Sequence, residues 1–163
     1  MQVDRQVLLA WLLVALWTAL VWTLSGNEFS ASATSRFLGP LMRWLLPSIS
    51  ESTLEALHGA VRKTAHVAEY AVLALLALRA LRLSAETSWL RSAALAFALA
   101  LTVSIADETH QAFAEARTGS TWDVGLDAAG AFGVLAVAGL WRRRRDPEPR
   151  GGAATHVGTG GRA

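Results

Sequence analysis

The sequence predicts an all-α integral membrane protein: a four-helix bundle with a short interfacial helix between its first and second spans. Three observations lead there. The 163-residue chain is 53% hydrophobic and only 17% charged, against about 25% charged in soluble domains. Its apolar residues are gathered into four blocks of roughly transmembrane length. Trp11, Trp17, Trp22, Trp89, Trp122 and Trp141 mostly lie at or near the ends of those blocks, where aromatic side chains anchor at the membrane–water interface.

The first block, Val7 to Leu24, contains no charge. An Ala31-Ser32-Ala33 pattern follows it, as in a signal-peptide cleavage site. The apolar run is too long for a signal core, Asp4 and Arg5 cancel in front of it, and Ala33 lies far behind, so a retained helix is expected. Phe37, Leu38, Leu41, Met42, Trp44, Leu45 and Leu46 then form an apolar patch that Pro47 ends. It reads as a short helix lying in the interface. Ser52-Thr53-Leu54-Glu55 fits a capping box, with Leu54, Leu57 and Val61 at helical spacing behind it, so the second helix is expected to begin near Thr53. Spans are expected at about 7–24, 63–81, 89–106 and 123–141, in one membrane domain covering 1–141. The remaining residues, 142–163, are rich in Gly, Pro and Arg and are expected to form a disordered basic tail.

Arginines set the orientation. Arg79, Arg82 and Arg91 flank the second connection, and Arg142 to Arg145 follow the last block. The positive-inside rule places that connection and both termini in the cytoplasm, although Arg36, Arg43, Arg62 and Lys63 fall on the other side. The arginine run directly flanks a membrane segment, so nucleic acid is not an expected partner. The chain has no cysteine, which excludes disulfides, thiolate zinc sites and thiol nucleophiles.

The second block carries an anomaly. At about 100° per residue, Arg62, Lys63, His66, Glu69 and Tyr70 share roughly a third of the helix surface while the rest is apolar. Lys63 is the only lysine and Tyr70 the only tyrosine. An ionisable side chain within a bilayer costs a few kcal/mol on insertion scales, so such a stripe is normally kept for a polar partner or a function. His58 falls on the same stripe. Beyond the third block, Asp107, Glu108, Gln111 and Ser104 share a face, with His110 just off it. The fourth block opens with Asp123 and Asp127, one turn apart, and Gly130 continues that face. Gly130 and Gly133 are expected to let helices approach closely. The alternating topology brings these groups, with Arg117 and Ser120 from the connecting loop, to one extracytoplasmic end.

Lys63, His66, Glu69, Asp107, Glu108, Gln111 and Asp123 are the expected catalytic set, the carboxylates and imidazole serving as general acids and bases. Arg62, Tyr70, His110, Arg117, Ser120 and Asp127 are expected to bind substrate, the arginines holding phosphate or carboxylate. His66-x-x-Glu69 and Asp107-x-x-His110 offer nitrogen and oxygen ligands on two helices. With the Lys63 ammonium beside them and no HExxH-type motif, neither a metal nor another cofactor is expected.

These residues resemble the VanZ-like family, small bacterial membrane proteins named after a glycopeptide-resistance accessory protein. Arg62-Lys63-x-x-His66-x-x-Glu69-Tyr70 is similar to the family's first signature. Asp107-Glu108-x-His110-Gln111-x-Phe113, followed by Arg117, Ser120, Asp123, Asp127, Gly130 and Gly133, is similar to its second. The serine-rich stretch between Leu24 and Phe37 also resembles the family, and the likeness extends to about Leu140. Ala114-Glu115-Ala116 departs from it where relatives carry a Pro-Gly turn. The resemblance implies a four-helix protein of the bacterial plasma membrane linked to the cell envelope, with teicoplanin-type resistance for some members. It implies no established reaction.

Three functions remain open, the third a structural or proton-coupled membrane module. One is an enzyme acting on a phospholipid, a lipid-linked glycan or a peptidoglycan precursor, although Ser104 and Ser120 sit in no nucleophile motif. The second is a non-catalytic membrane protein that binds lipid or antibiotic. Membrane lipids or a lipid-linked envelope precursor are the expected partners in the first two. The absence of an internal repeat speaks against a small monomeric transporter.

Overall fold

The computed structural model describes residues 4–25, 39–112 and 120–145. All regular structure in them is helical. Helix α1 spans Arg5–Leu24, α2 covers 39–45, α3 spans Glu51–Ser84, α4 Trp89–Ala112 and α5 Thr121–Arg145. Helices α1, α4 and α5 are each long and apolar enough to cross a membrane.

The caps explain the helix starts. The Asp4 carboxylate accepts from the Gln6 N–H at 2.9 Å, satisfying one of the donors that every helix N-terminus leaves open. The start of α3 lies two residues ahead of the sequence expectation. Ser50, rather than Ser52, is the N-cap, and its hydroxyl accepts from the Thr53 N–H at 3.2 Å. Glu51 in the first turn then pairs with Arg43 of α2 at 2.6 Å, a contact that helps hold α2 beside the base of α3. The expected short helix is present over 39–45, with Leu41, Trp44 and Leu45 exposed; Phe37 and Leu38 lie outside the described residues.

Two further boundaries differ. Helix α4 continues six residues past the expected span limit of Ala106, so Asp107, Glu108 and Gln111 remain on helical turns. Helix α5 runs through Arg142 to Arg145, which composition alone assigns to the tail. Cations stabilise a helix C-terminus through its dipole, and the Arg145 guanidinium lies 3.7 Å above the Trp141 ring. The rest of the tail lies outside the described residues.

Helix α3 packs against α1, α4 and α5, and α4 packs against α5. Successive long helices run antiparallel. At one end Trp11 donates to Ser84 at 2.8 Å and Gly139 abuts the Trp89 ring. At the other, Ser25, Tyr70, Asp107 and Asp127 meet. The core is built largely from small residues: Ala74, Ala77 and Ala80 of α3, Ala93, Ala96 and Ala100 of α4, and Ala131 of α5 are all buried. Small side chains let helix backbones approach, which drives association where lipid removes the usual hydrophobic advantage.

Gly130 makes a close approach to a neighbouring backbone: a Cβ there would stand 2.7 Å from the Val67 carbonyl oxygen of α3. Gly133, expected to act in the same way, faces open space and does not mediate packing; three residues along the helix from Gly130, it has rotated off the α3 contact. The outward faces are strongly apolar. Leu8, Leu9, Leu12, Leu13, Leu16 and Leu20 of α1 and Phe132, Val137, Leu140 and Trp141 of α5 are exposed, a surface that water disfavours and acyl chains accept.

Candidate functional site

The polar end of the bundle contains a buried network drawn from four helices. Asp107 is its hub. Its Oδ2 accepts from the Ser25 hydroxyl at 2.6 Å, Gln111 Nε2 at 2.9 Å and the Tyr70 hydroxyl at 3.2 Å. Asp107 and Gln111 are four residues apart and so share a face of α4, which turns both toward α1 and α3. Three donors on one oxygen supply the solvation a buried carboxylate would otherwise lose. Trp17 reinforces the junction, its indole N–H donating to the Glu69 carbonyl at 3.0 Å.

A second group lies alongside. Asp127 of α5 takes the Ser104 hydroxyl on Oδ2 at 2.8 Å, while its Oδ1 stands 3.8 Å from His66 Nδ1 of α3. Glu108 of α4 takes the Ser120 backbone N–H on Oε2 at 2.8 Å. Ser120 immediately precedes α5, and its own hydroxyl accepts from the Trp122 N–H at 3.2 Å. Glu108 therefore fixes the start of the helix that carries Asp127. In both carboxylates one oxygen is held by protein and the other is not: Asp127 Oδ1, Glu108 Oε1 and His66 Nδ1 are buried atoms without a hydrogen-bond partner among the described residues. Each of these three side chains offers one ligand-type atom, and those atoms lie within 4.8 Å of one another.

The mouth of the group carries two cations, Arg62 and Lys63, beside the Asp123 carboxylate. Arg62 approaches Asp123 at 3.9 Å with both side chains partly exposed. Arg62, Lys63, His66, Asp123, Leu126 and Asp127 line a cavity of about 10 Å³, room for a single water or ion.

Of the residues singled out in the sequence, the structure thus joins Arg62, His66, Tyr70, Asp107, Glu108, Gln111, Ser120, Asp123 and Asp127. Ser120 contributes through its backbone. Tyr70 is fully buried and bonded to Asp107, where it positions the carboxylate and is withdrawn from any ligand at the mouth. Lys63 reaches the cavity edge but is itself exposed. His110 does not join. It is exposed and rests on the Trp22 ring, centroid to centroid 4.9 Å, because its helical position lies off the Asp107–Gln111 face. Glu69 is half-buried, and Arg117 lies outside the described residues. His58 lies two turns further from the core and lines a separate surface cleft with Arg43, Glu51 and Glu55. Ser25 and Trp17 are the members sequence reasoning missed. Trp17 lies in α1 and Ser25 caps its C-terminus; beyond Arg5 that helix carries no charge, and no polar stripe marks the face that meets the site.

An all-helical protein with three helices able to cross a membrane, and a buried carboxylate–histidine network at one end, defines a class of small membrane proteins with an internal polar site. The chain matches the VanZ/LLP1 family over residues 9–142 and belongs to it; it is a membrane protein. No curated protein and no solved structure matches it.

Proposed function

We propose that the protein is a four-span protein of the plasma membrane whose polar site engages the phosphate-bearing headgroup of an envelope lipid or lipid-linked precursor at the outer leaflet, and catalyses proton-coupled chemistry on it. The observation that carries this reading is the stacking of two zones. Arg62 and Lys63 stand at the mouth, where a phosphate is attracted, and His66, Glu108 and Asp127 are buried behind them, each with one atom that has no hydrogen-bond partner among the described residues. Guanidinium and ammonium groups suit phosphate oxygens, and carboxylate and imidazole groups suit proton transfer. The cavity of about 10 Å³ is too small to engulf a headgroup, so the lipid docks at the mouth and only its reacting oxygens approach the buried groups.

The second reading, a non-catalytic lipid or antibiotic binder, draws its support from the same small cavity. With α3 counted as the second of four spans, the polar end faces outward by the arginine rule. Teicoplanin tolerance belongs to this proposal only as a downstream effect of altered envelope lipid. Incubating purified protein with vesicles containing anionic phospholipid or an undecaprenyl-linked precursor, and following lipid products by mass spectrometry, separates the readings. Turnover abolished by Glu108→Gln supports the enzyme. Saturable binding of those vesicles without product supports the binder, and neither turnover nor binding contradicts both.

A further inference from the structure

We propose that His66, Glu108 and Asp127 form a binding site for one divalent transition-metal ion. The inference is independent of the lipid substrate, because it rests on the three side chains alone. They come from three different helices, α3, α4 and α5, and are respectively 91%, 95% and 99% buried by their relative exposures of 9%, 5% and 1%. Each offers one ligand-type atom, and the three atoms lie within 4.8 Å of one another. A tetrahedral shell with metal–ligand bonds of about 2.0–2.2 Å has edges of about 3.4 Å. The His66–Asp127 edge of 3.8 Å is close to that value, and the Glu108 carboxylate moves in to complete the shell when an ion binds.

The supporting contacts have the pattern that metal ligands require. Ligating carboxylates are themselves oriented by outer hydrogen bonds. Here Ser104 holds Asp127 Oδ2 and the Ser120 N–H holds Glu108 Oε2, while Asp127 Oδ1 and Glu108 Oε1 have no hydrogen-bond partner among the described residues. A water is a poorer occupant. With the imidazole in the tautomer that leaves Nδ1 as an acceptor, three acceptors converge, and a water donates only two hydrogen bonds. Charge points the same way. Asp107, Glu108 and Asp127 are buried, and among the described residues His66 is the only basic side chain buried with them, so acidic groups outnumber basic ones three to one. A dication offsets the mutual repulsion of carboxylates, which burial would otherwise magnify.

One imidazole and two carboxylates favour zinc or manganese over calcium, which takes six to eight oxygens. Three protein ligands leave a coordination position open, as in catalytic sites, and the cavity toward Arg62 and Lys63 adjoins two of the three ligands. The sequence could not show this set. The pairs it offered, His66 with Glu69 and Asp107 with His110, each lie on one helix, whereas the structure assembles one ligand from each of three.

The test uses the full chain purified in detergent on a non-histidine tag, stripped with chelator and titrated with Zn²⁺ or Mn²⁺ against a chromophoric competitor. One equivalent per chain is expected, with a rise in melting temperature. Glu108→Gln and Asp127→Asn are expected to weaken binding by more than about 100-fold, and Ser104→Ala, which removes only an outer contact, by about 10-fold. His58→Ala is expected to leave binding unchanged. If the wild-type chain binds neither ion at stoichiometry, or if Ser104→Ala and Glu108→Gln bind as wild type does, the site is not a metal site. Loss of binding in His58→Ala alone would equally overturn it.

Discussion

The Ser104 hydroxyl donates to Asp127 Oδ2 at 2.8 Å, joining α4 to α5 in the interior and leaving Oδ1 of the same carboxylate directed at His66. One hydrogen bond thus serves packing and presents an unpartnered oxygen. The same division holds for Glu108, whose outer oxygen pins the start of α5. At the polar end, two buried carboxylates are thus each oriented through one oxygen by a neighbouring element, with the other oxygen unpartnered among the described residues.

Tyr70→Phe removes one of the three donors on Asp107 while keeping the ring in the core. A hydrogen bond to a charged acceptor contributes about 1.5–3 kcal/mol, so thermal unfolding in detergent is expected at lower temperature by a corresponding amount. Asp107→Ala is expected to be worse, because it leaves the Ser25 and Tyr70 hydroxyls buried without their acceptor and Gln111 Nε2 with only the longer bond to Ser25 Oγ at 3.4 Å. Equal stability of both variants with wild type would remove Asp107 from its place as hub.

Gly130→Val should separate α3 from α5. A Cβ at that position meets the Val67 carbonyl at 2.7 Å, and backbone cannot yield as a flexible side chain can. Overpacking of this kind costs about 1–3 kcal/mol. Gly133→Val, in open space, is expected to be near neutral. Thermal melts of the two variants side by side provide the check, and indistinguishable values would refute the close contact.

Much of this was legible in the sequence, and the parts that were not share a physical cause. Helical spacing alone placed His66 with Tyr70, Asp107 with Gln111, and Asp123 with Asp127, because a side chain's angular position follows directly from its number. The same arithmetic had already set His110 off the stripe, and the structure leaves it on the Trp22 ring. Depth along the axis was harder. His58 lies on the expected face yet too far from the core to join, and Lys63 reaches only the rim. An isolated contact from an otherwise apolar helix or its cap carries no pattern, so Trp17 read only as an interface anchor and Ser25 only as part of a serine-rich stretch. Capping depends on which of several nearby serines actually reaches an N–H, and Ser50 won over Ser52.

The proposed orientation is open to direct chemistry. Ser120→Cys introduces the chain's first cysteine, at a position that keeps the backbone N–H bonded to Glu108. Labelling by an impermeant maleimide on intact cells is expected. Labelling only after permeabilisation would place the polar end in the cytoplasm and detach it from outer-leaflet lipids.

Arg62 and Lys63 are expected to govern substrate capture more than chemistry. Arg62→Ala and Lys63→Ala should raise the apparent KM for an anionic lipid with a smaller change in kcat, the pattern of a lost binding contact. Arg79→Ala, at the opposite end of α3, should change neither. A fall in kcat alone for the mouth variants would move these residues from binding into the chemical step.

The most direct test of the central claim, that the buried network is a functional site, is lipid mass spectrometry of the host membrane. Cells lacking the protein are compared with cells expressing wild type or Glu108→Gln, with protein abundance measured in the same membranes. The expected result is a lipid change produced by wild type and absent with Glu108→Gln at equal abundance. A lipid profile that follows abundance alone, with Glu108→Gln as effective per molecule as wild type, would contradict the claim and leave the network a structural one.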